Sequence, residues 1–233
     1  MNPYDALLRE HELDGRRVVG ARNRLLAAGA ALDLIREHGS EPSADDVAQR
    51  AGLSQRTVFR LFGDMDQLLN AAVRMQAARI LPLLVIPAVT GSRQHRVREL
   101  VSARAQLYEQ ITPVRRVAMR HKPHQPAVSA GIDQLNAYLG TQLEQVFATE
   151  IGVCAPRSGQ ALICDLEVAT SWAAWEFLRS DQHMSVRAAG ASVARTIAAL
   201  LLAASETARS QRTSAPEEGR RVKLKSVRGA WPD

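Results

Sequence analysis

The segment Ser43–Phe62, SADDVAQRAGLSQRTVFRLF, constrains the fold more tightly than any other part of the chain. Ser43 and Asp46, three residues apart, form the signature of a capping box that opens a helix. Val47, Ala48 and Ala51 make that helix's inner face, and Gly52 suits a tight turn that needs a positive φ. Ser54 caps a second helix. Val58 and Phe62 lie four apart on its inner side, which leaves Gln55, Arg56 and Arg60 pointing outward. A further helix should precede the pair, from about Val19 to the stop at Gly39, with Leu25, Leu32 and Ile35 on one face. Two short helices joined this way, the second carrying arginines, have the shape of a helix-turn-helix. Such a unit is built to set its second helix in the major groove of DNA.

The rest of the chain reads as helix throughout, with no alternating strand pattern. Asp64 starts a helix that ends or kinks at Pro82. Another covers about Gln94 to Gln110. Thr112-Pro113 reads as the cap and first residue of a separate short helix to Arg120. From Ala127 to Glu150, Val128, Ile132, Leu135, Leu139, Leu143 and Val146 recur at three and four, the clearest amphipathic pattern present. Two apolar helices follow, over about Gln160–Arg179 and Val186–Ala204, the second capped by Ser185. The expected fold is therefore all-α, with about nine helices. A flexible arm (1–18) precedes a three-helix DNA-binding unit (19–63). A helical ligand-binding and dimerisation body (64–207) and a disordered tail (208–233) follow.

Composition narrows the function classes. The chain has 233 residues, 46% of them hydrophobic, enough for a substantial core. No run of about 18 uncharged apolar residues suggests a membrane span, and residues 1–12 have no signal-peptide core, so a cytoplasmic protein with no membrane partner is expected. Cys154 and Cys164 have no metal-ligand spacing and read as small buried thiols. Net charge is +6. The basic excess is local: residues 16–62 hold eight arginines against five acids, or +3. His121 and His124 lack a third ligand, so no metal is expected. No nucleophile triad, Gly-rich phosphate loop or carboxylate pair is present, which argues against an enzyme, and no cofactor is expected.

The run from Arg24 to Leu69 resembles the TetR family of bacterial transcription regulators. The resemblance is carried by Ala30-Ala31-Leu32, Gly39, Val47-Ala48, Ala51-Gly52-Leu53-Ser54, Thr57-Val58-Phe59-Arg60, Phe62 and Leu68-Leu69. It implies a homodimer on a pseudo-palindromic operator in double-stranded DNA, and a cavity in the body for a small-molecule effector. The family often has Tyr, His and Lys where Phe59, Leu61 and Met65 stand, and those polar groups usually contact phosphate. Their replacement by apolar residues should weaken non-specific affinity. Arg16, Arg17, Arg22 and Arg24 are expected to compensate along the DNA backbone or minor groove.

Candidate DNA contacts are accordingly Arg22, Arg24, Ser43, Ser54, Gln55, Arg56, Thr57, Phe59 and Arg60. Gln55 suits adenine and Arg56 guanine. Thr57 suits phosphate or a thymine methyl, and Arg60 suits phosphate. Ser43 offers its hydroxyl and free amides, and Phe59 either packs on the sugar-phosphate backbone or joins the core. Candidate ligand contacts are Met75, Tyr108, Met119, Tyr138 and Trp172, adaptable or aromatic residues on central helices. Trp172 and Trp175 share a face and could equally anchor a dimer. Arg115, Arg116 and Arg120 could meet an acidic ligand, but read better as a solvated face. The expected function is a ligand-responsive regulator, of repressor type, dimerising through about 160–204. The alternative is a helical dimer that binds a small molecule or partner protein and carries a degenerate DNA-binding head.

Overall fold

The structure, a computed structural model, describes residues 3–85 and 90–214, with the backbone alone over 3–16 and 212–214. The described residues form helices and no strands. These are α1 (Pro3–His38), α2 (Ala44–Ala51), α3 (Gln55–Phe62), α4 (Met65–Ile80), α5 (Arg93–His121), α6 (Pro126–Val146), α7 (Ala148–Gly152), α8 (Pro156–Ala169), α9 (Trp172–Glu176) and α10 (Val186–Ser214). A 3-10 turn (Leu81–Leu84) follows α4, and a π turn (Phe177–Asp181) follows α9.

Two cores share a seam. The head core gathers Leu32 and Ile35 of α1, Val47 of α2, Val58 of α3 and Leu68 of α4. Val114 and Val117, from the second half of α5, complete it. The body core packs Leu100 and Leu107 of α5 with Leu143, Phe147, Leu166, Ile197 and Leu201. Ala118, Val128 and Ile132 form a third, small cluster, with Val73 of α4 packed against both it and the head core, while Ile80 of α4 and Leu100 and Leu107 of α5 belong to the body core. Helices α4 and α5 therefore run through both units.

Several elements depart from the sequence reading. Helix α1 begins at Pro3, where residues 1–18 suggested a loose arm. Proline suits a first helical turn, and the Leu, Arg and Glu that follow are good helix formers. Leu25, expected inside, is exposed. The two helices expected over 94–120 are one, with Pro113 inside it. Proline removes a backbone donor, but the packing of Val114 and Val117 outweighs that loss. Side chains also occupy nearby carbonyls: Thr112 Oγ1 donates to Tyr108 O at 2.6 Å, and Gln76 Nε2 to Gln110 O at 3.0 Å.

The helix expected over 160–179 starts earlier, at Pro156, and breaks at Thr170-Ser171. There Thr170 Oγ1 donates to Leu166 O (2.7 Å) and Ser171 Oγ to Val168 O (2.9 Å), so hydroxyls take up the carbonyls that would continue the helix. Ser171 then caps α9. Helix α10 extends through 208–214, which had been assigned to the tail. Ala208 continues the buried row of Ala189, Val193, Ile197 and Leu201. The rest of the tail, 215–233, and residues 86–89 lie outside the described residues. Cys164 is exposed rather than buried, and Cys154 is half-buried.

Candidate DNA interface and ligand cavity

The helix-turn-helix forms as its local signals require. Ser43 Oγ accepts from Asp46 N at 3.1 Å while Asp46 Oδ2 accepts from Ser43 N at 3.1 Å, closing the capping box. Gly52 takes φ 66°, and its N–H and that of Leu53 bond the last carbonyls of α2. Ser54 Oγ accepts from Thr57 N at 3.2 Å and pairs with Thr57 Oγ1 at 2.8 Å. Arg50 of α2 makes a two-pronged pair with Glu37 of α1, both bonds 2.8 Å, which fixes the angle between those helices.

On α3, Val58 and Leu61 point into the core, while Gln55, Arg56, Phe59 and Arg60 form one exposed face. Phe59 is 42% exposed, so of its two expected roles the structure excludes core packing. Leu61 is buried, which takes it off the outward surface, and Met65 is half-buried with its side chain packed against the head core. Ser43, Ser54 and Thr57 have their hydroxyls engaged in capping, and Arg22 is exposed one turn before Leu26 on α1. Arg24 departs from the expectation. Its guanidinium donates to Leu61 O at the end of α3 and lies over the Phe62 ring at 5.3 Å. Its first role is to tie α1 to the recognition helix.

A cavity of about 560 Å³ opens between α4, α5, α6 and the 3-10 turn. Its wall is mainly apolar, from residues such as Ile80, Leu84, Ile111, Val128 and Leu135. Gln76, Arg115, Gln134 and Tyr138 supply the polar groups. Size and lining suit a small organic molecule.

Of the five expected ligand residues, only Tyr138 lines this cavity; its hydroxyl donates to Leu84 O at 3.2 Å. Met75 turns toward α1, where it meets Gly29. Tyr108 is body core: its hydroxyl donates to Thr170 O at 2.7 Å, its ring is 6.3 Å from Trp175, and burial raises its pKa. Met119 is exposed and away from the cavity wall. Trp172 donates to Thr112 Oγ1 at 3.0 Å and Trp175 to Glu109 at 2.9 Å, so α5 holds both rings. Aromatic character marked these residues, but α5 took their faces.

Arg115, which the sequence places on a solvated face, is the cavity's most distinctive residue. Arg115 is only 8% exposed. It donates to Asn136 Oδ1 at 3.0 Å and lies over the Trp172 ring at 5.1 Å. Burial lowers its pKa from the usual arginine value. Arg116 does behave as surface, pairing with Glu176 at 2.7 Å, and Arg120 is exposed. The signal that could have separated them is register: Ile111, Val114, Arg115 and Ala118 form one inward stripe at three and four.

Residues 29–72 match the family described as bacterial regulatory proteins, tetR family. The matched segment holds the end of α1, the whole turn, α3 and the start of α4, the residues whose geometry makes the exposed recognition face. Over that segment the chain is similar to the tetR family of bacterial regulatory proteins. The fold agrees with solved structures at low identity. A tetR-family transcriptional regulator from Streptomyces coelicolor superposes with TM-score 0.65 at 18% identity, covering 86% of this chain and 92% of that one. A transcriptional regulator from Rhodococcus gives TM-score 0.60 at 20% identity, covering 77% and 96%. A putative TetR-family regulator from Mesorhizobium loti gives 0.56 at 15% identity, covering 79% and 97%. No curated protein matches the chain. Among the described residues, no group of three metal-ligating side chains comes together.

Proposed function

We propose that the protein is a homodimeric repressor that binds a pseudo-palindromic operator and releases it when a small molecule fills the cavity. One observation carries this reading: α4 and α5 both line the cavity and both reach the head core, α4 at its start and α5 at its end. Val73 and Ile80 of α4 and Ile111 and Val114 of α5 face the cavity, while Leu68, Leu69 and Val117 on the same helices hold α1 and α3. A ligand that binds one α4–α5 arrangement more tightly than another changes the separation of the two recognition helices. That differential affinity is the only source the coupling can have. For two half-sites the separation must be roughly 34–36 Å, one turn of DNA.

Gln55 and Arg56 would read bases, and Arg60, Arg22 and the amides at Ser43 would hold phosphates. Dimerisation would use α8 and α10. Helix α10 buries one row in the body and exposes Ala191, Ala198, Ala199 and Leu202 on its other side. Its segment Val186–Gln211 is long and apolar enough to cross a membrane by length and composition. A second copy laying its own α8 and α10 across that face explains the apolar character as a four-helix interface. The competing reading, a degenerate head on a small-molecule or partner-protein binder, keeps Phe59 as its main support, because Leu61 is buried and Met65 is half-buried against the head core.

The test is selection from a random duplex library at near-physiological salt, followed by sequencing of the bound fraction. A two-fold symmetric motif is expected, with affinity that falls steeply as salt rises. Recovery of no sequence preference overturns the operator reading.

A further inference from the structure

The cavity wall contains a positive charge that nothing nearby neutralises. Among the described residues no carboxylate lies within ion-pair distance of Arg115. Its one hydrogen-bond acceptor is the neutral Asn136 side chain, and its Nε, fully buried, has no partner. The acid that it feels most is Asp133, but that carboxylate is held by Lys122 at 3.1 Å. A buried cation normally comes with a paired anion, because the desolvation of its charge is otherwise uncompensated. Arg104 is a useful comparison. It too is buried without an acid, but it donates to Leu139 O at 2.7 Å and does not line the cavity. Arg115 differs in facing the space a ligand would fill.

We infer that the cavity takes an apolar carboxylic acid, with the carboxylate paired to Arg115 and the hydrocarbon body against the apolar wall. This rests on the reading of the cavity as the effector site and names the chemical class of the effector. A single guanidinium among apolar residues matches a single negative charge. A planar carboxylate can accept two parallel bonds from it. A phosphate monoester, with about −1.5 to −2 charge, would be left half-neutralised in an apolar wall. Gln76 adds a finer preference. It is 4% exposed, its Nε2 is engaged with Gln110 O, and its Oε1 has no donor. A hydroxyl or amide N–H on the same acid would satisfy that oxygen.

The experiment titrates the full chain with dodecanoate and with 1-naphthoate, each beside its methyl ester. Calorimetry gives affinity, and tryptophan fluorescence reports on Trp172 under the Arg115 guanidinium. The acid should bind at least about tenfold tighter than its ester, the effect of one charge-assisted contact of about 1.4 kcal/mol. Arg115→Gln should bring the ratio to near one by weakening the acid and leaving the ester unchanged. Arg115→Lys should restore part of it, and Arg120→Gln should change nothing. Equal binding of acid and ester to the unmodified protein, or binding of neither, overturns the proposal, and so does a ratio that survives Arg115→Gln in a folded variant. If Arg115→Gln does not fold, the ratio on the unmodified protein decides. The operator reading fails separately: acid-selective binding by a protein without DNA sequence preference refutes regulation and leaves the ligand class standing.

Discussion

Arg24 separates two roles that an arginine near a recognition helix can have. Its guanidinium donates to Leu61 O, a carbonyl of the last turn of α3, and stacks on Phe62. The partial negative charge at a helix C-terminus favours a cation there. A charge-assisted bond of this kind contributes about 1.5–3 kcal/mol when buried, and an exposed cation–π contact about 0.5–1 kcal/mol. Arg24 is exposed, so solvent screening reduces both, and Arg24→Ala should destabilise the protein by about 1–2 kcal/mol. Urea unfolding followed by far-UV circular dichroism measures this directly. The second readout is the dependence of DNA affinity on salt. Loss of a positioning contact lowers affinity and leaves the slope of log affinity against log salt unchanged. Loss of a phosphate contact flattens that slope by about 0.9. Unchanged stability together with a slope flattened by that amount would refute the positioning argument and make Arg24 a DNA contact.

Arg56→Ala should relax preference at one base pair in each half-site and cost about 1–3 kcal/mol on the preferred operator, measured by binding to single-base operator variants. Gly52→Ala should destabilise the head by about 1–2 kcal/mol in thermal melts, because φ 66° is unfavourable for a residue with a Cβ, while open space around it removes any clash. Glu150 accepts two bonds from Arg96, at 2.6 and 3.0 Å, with Arg93 at 3.4 Å, joining the start of α5 to α7. Burial raises its pKa, but the Arg96 bonds and the positive charge of Arg96 and Arg93 outweigh it and leave the pKa below the usual glutamate value. A depressed folded-state pKa stabilises the protein fully above the unfolded value, and that contribution is lost as pH falls through the folded one. The unmodified protein should therefore lose more stability than Glu150→Gln between pH 6 and pH 3 in parallel melts, and equal losses would refute the pair's role.

The helix-turn-helix was legible in the sequence because its signals are short-range. Ser43 with Asp46, Gly52, and Ser54 with Thr57 each act over three or four residues, so spacing alone predicts their hydrogen bonds. The inward side of α3 followed from the same periodicity, as did the caps at Asp64 and Ser185. The residues that line the cavity were not legible in this way. Aromatic and sulfur side chains serve a core and a cavity equally well. Which of them Tyr108 and Trp172 serve was set by α5 and by the carbonyl of Thr170, 62 residues from Tyr108.

The sequence by itself determined the bounds and caps of α2, α3 and α4, the absence of strands among the described residues, and which face of α3 is free. Tertiary structure decided that α5 continues through Pro113, that Leu61 is buried and Met65 packs against the head core, that Arg24 turns to α3, and that Arg115 is buried. The physical reason is range. A cap is a bond between neighbours in the chain, whereas burial depends on which distant helix covers a side chain. Arg115 and Arg116 are adjacent and chemically identical. One faces Asn136, Trp172 and an apolar cavity, and the other faces Glu176 and water. Register within α5 puts the two on different faces, and the packing of α6 and α9 against the helix decides which of those faces is covered.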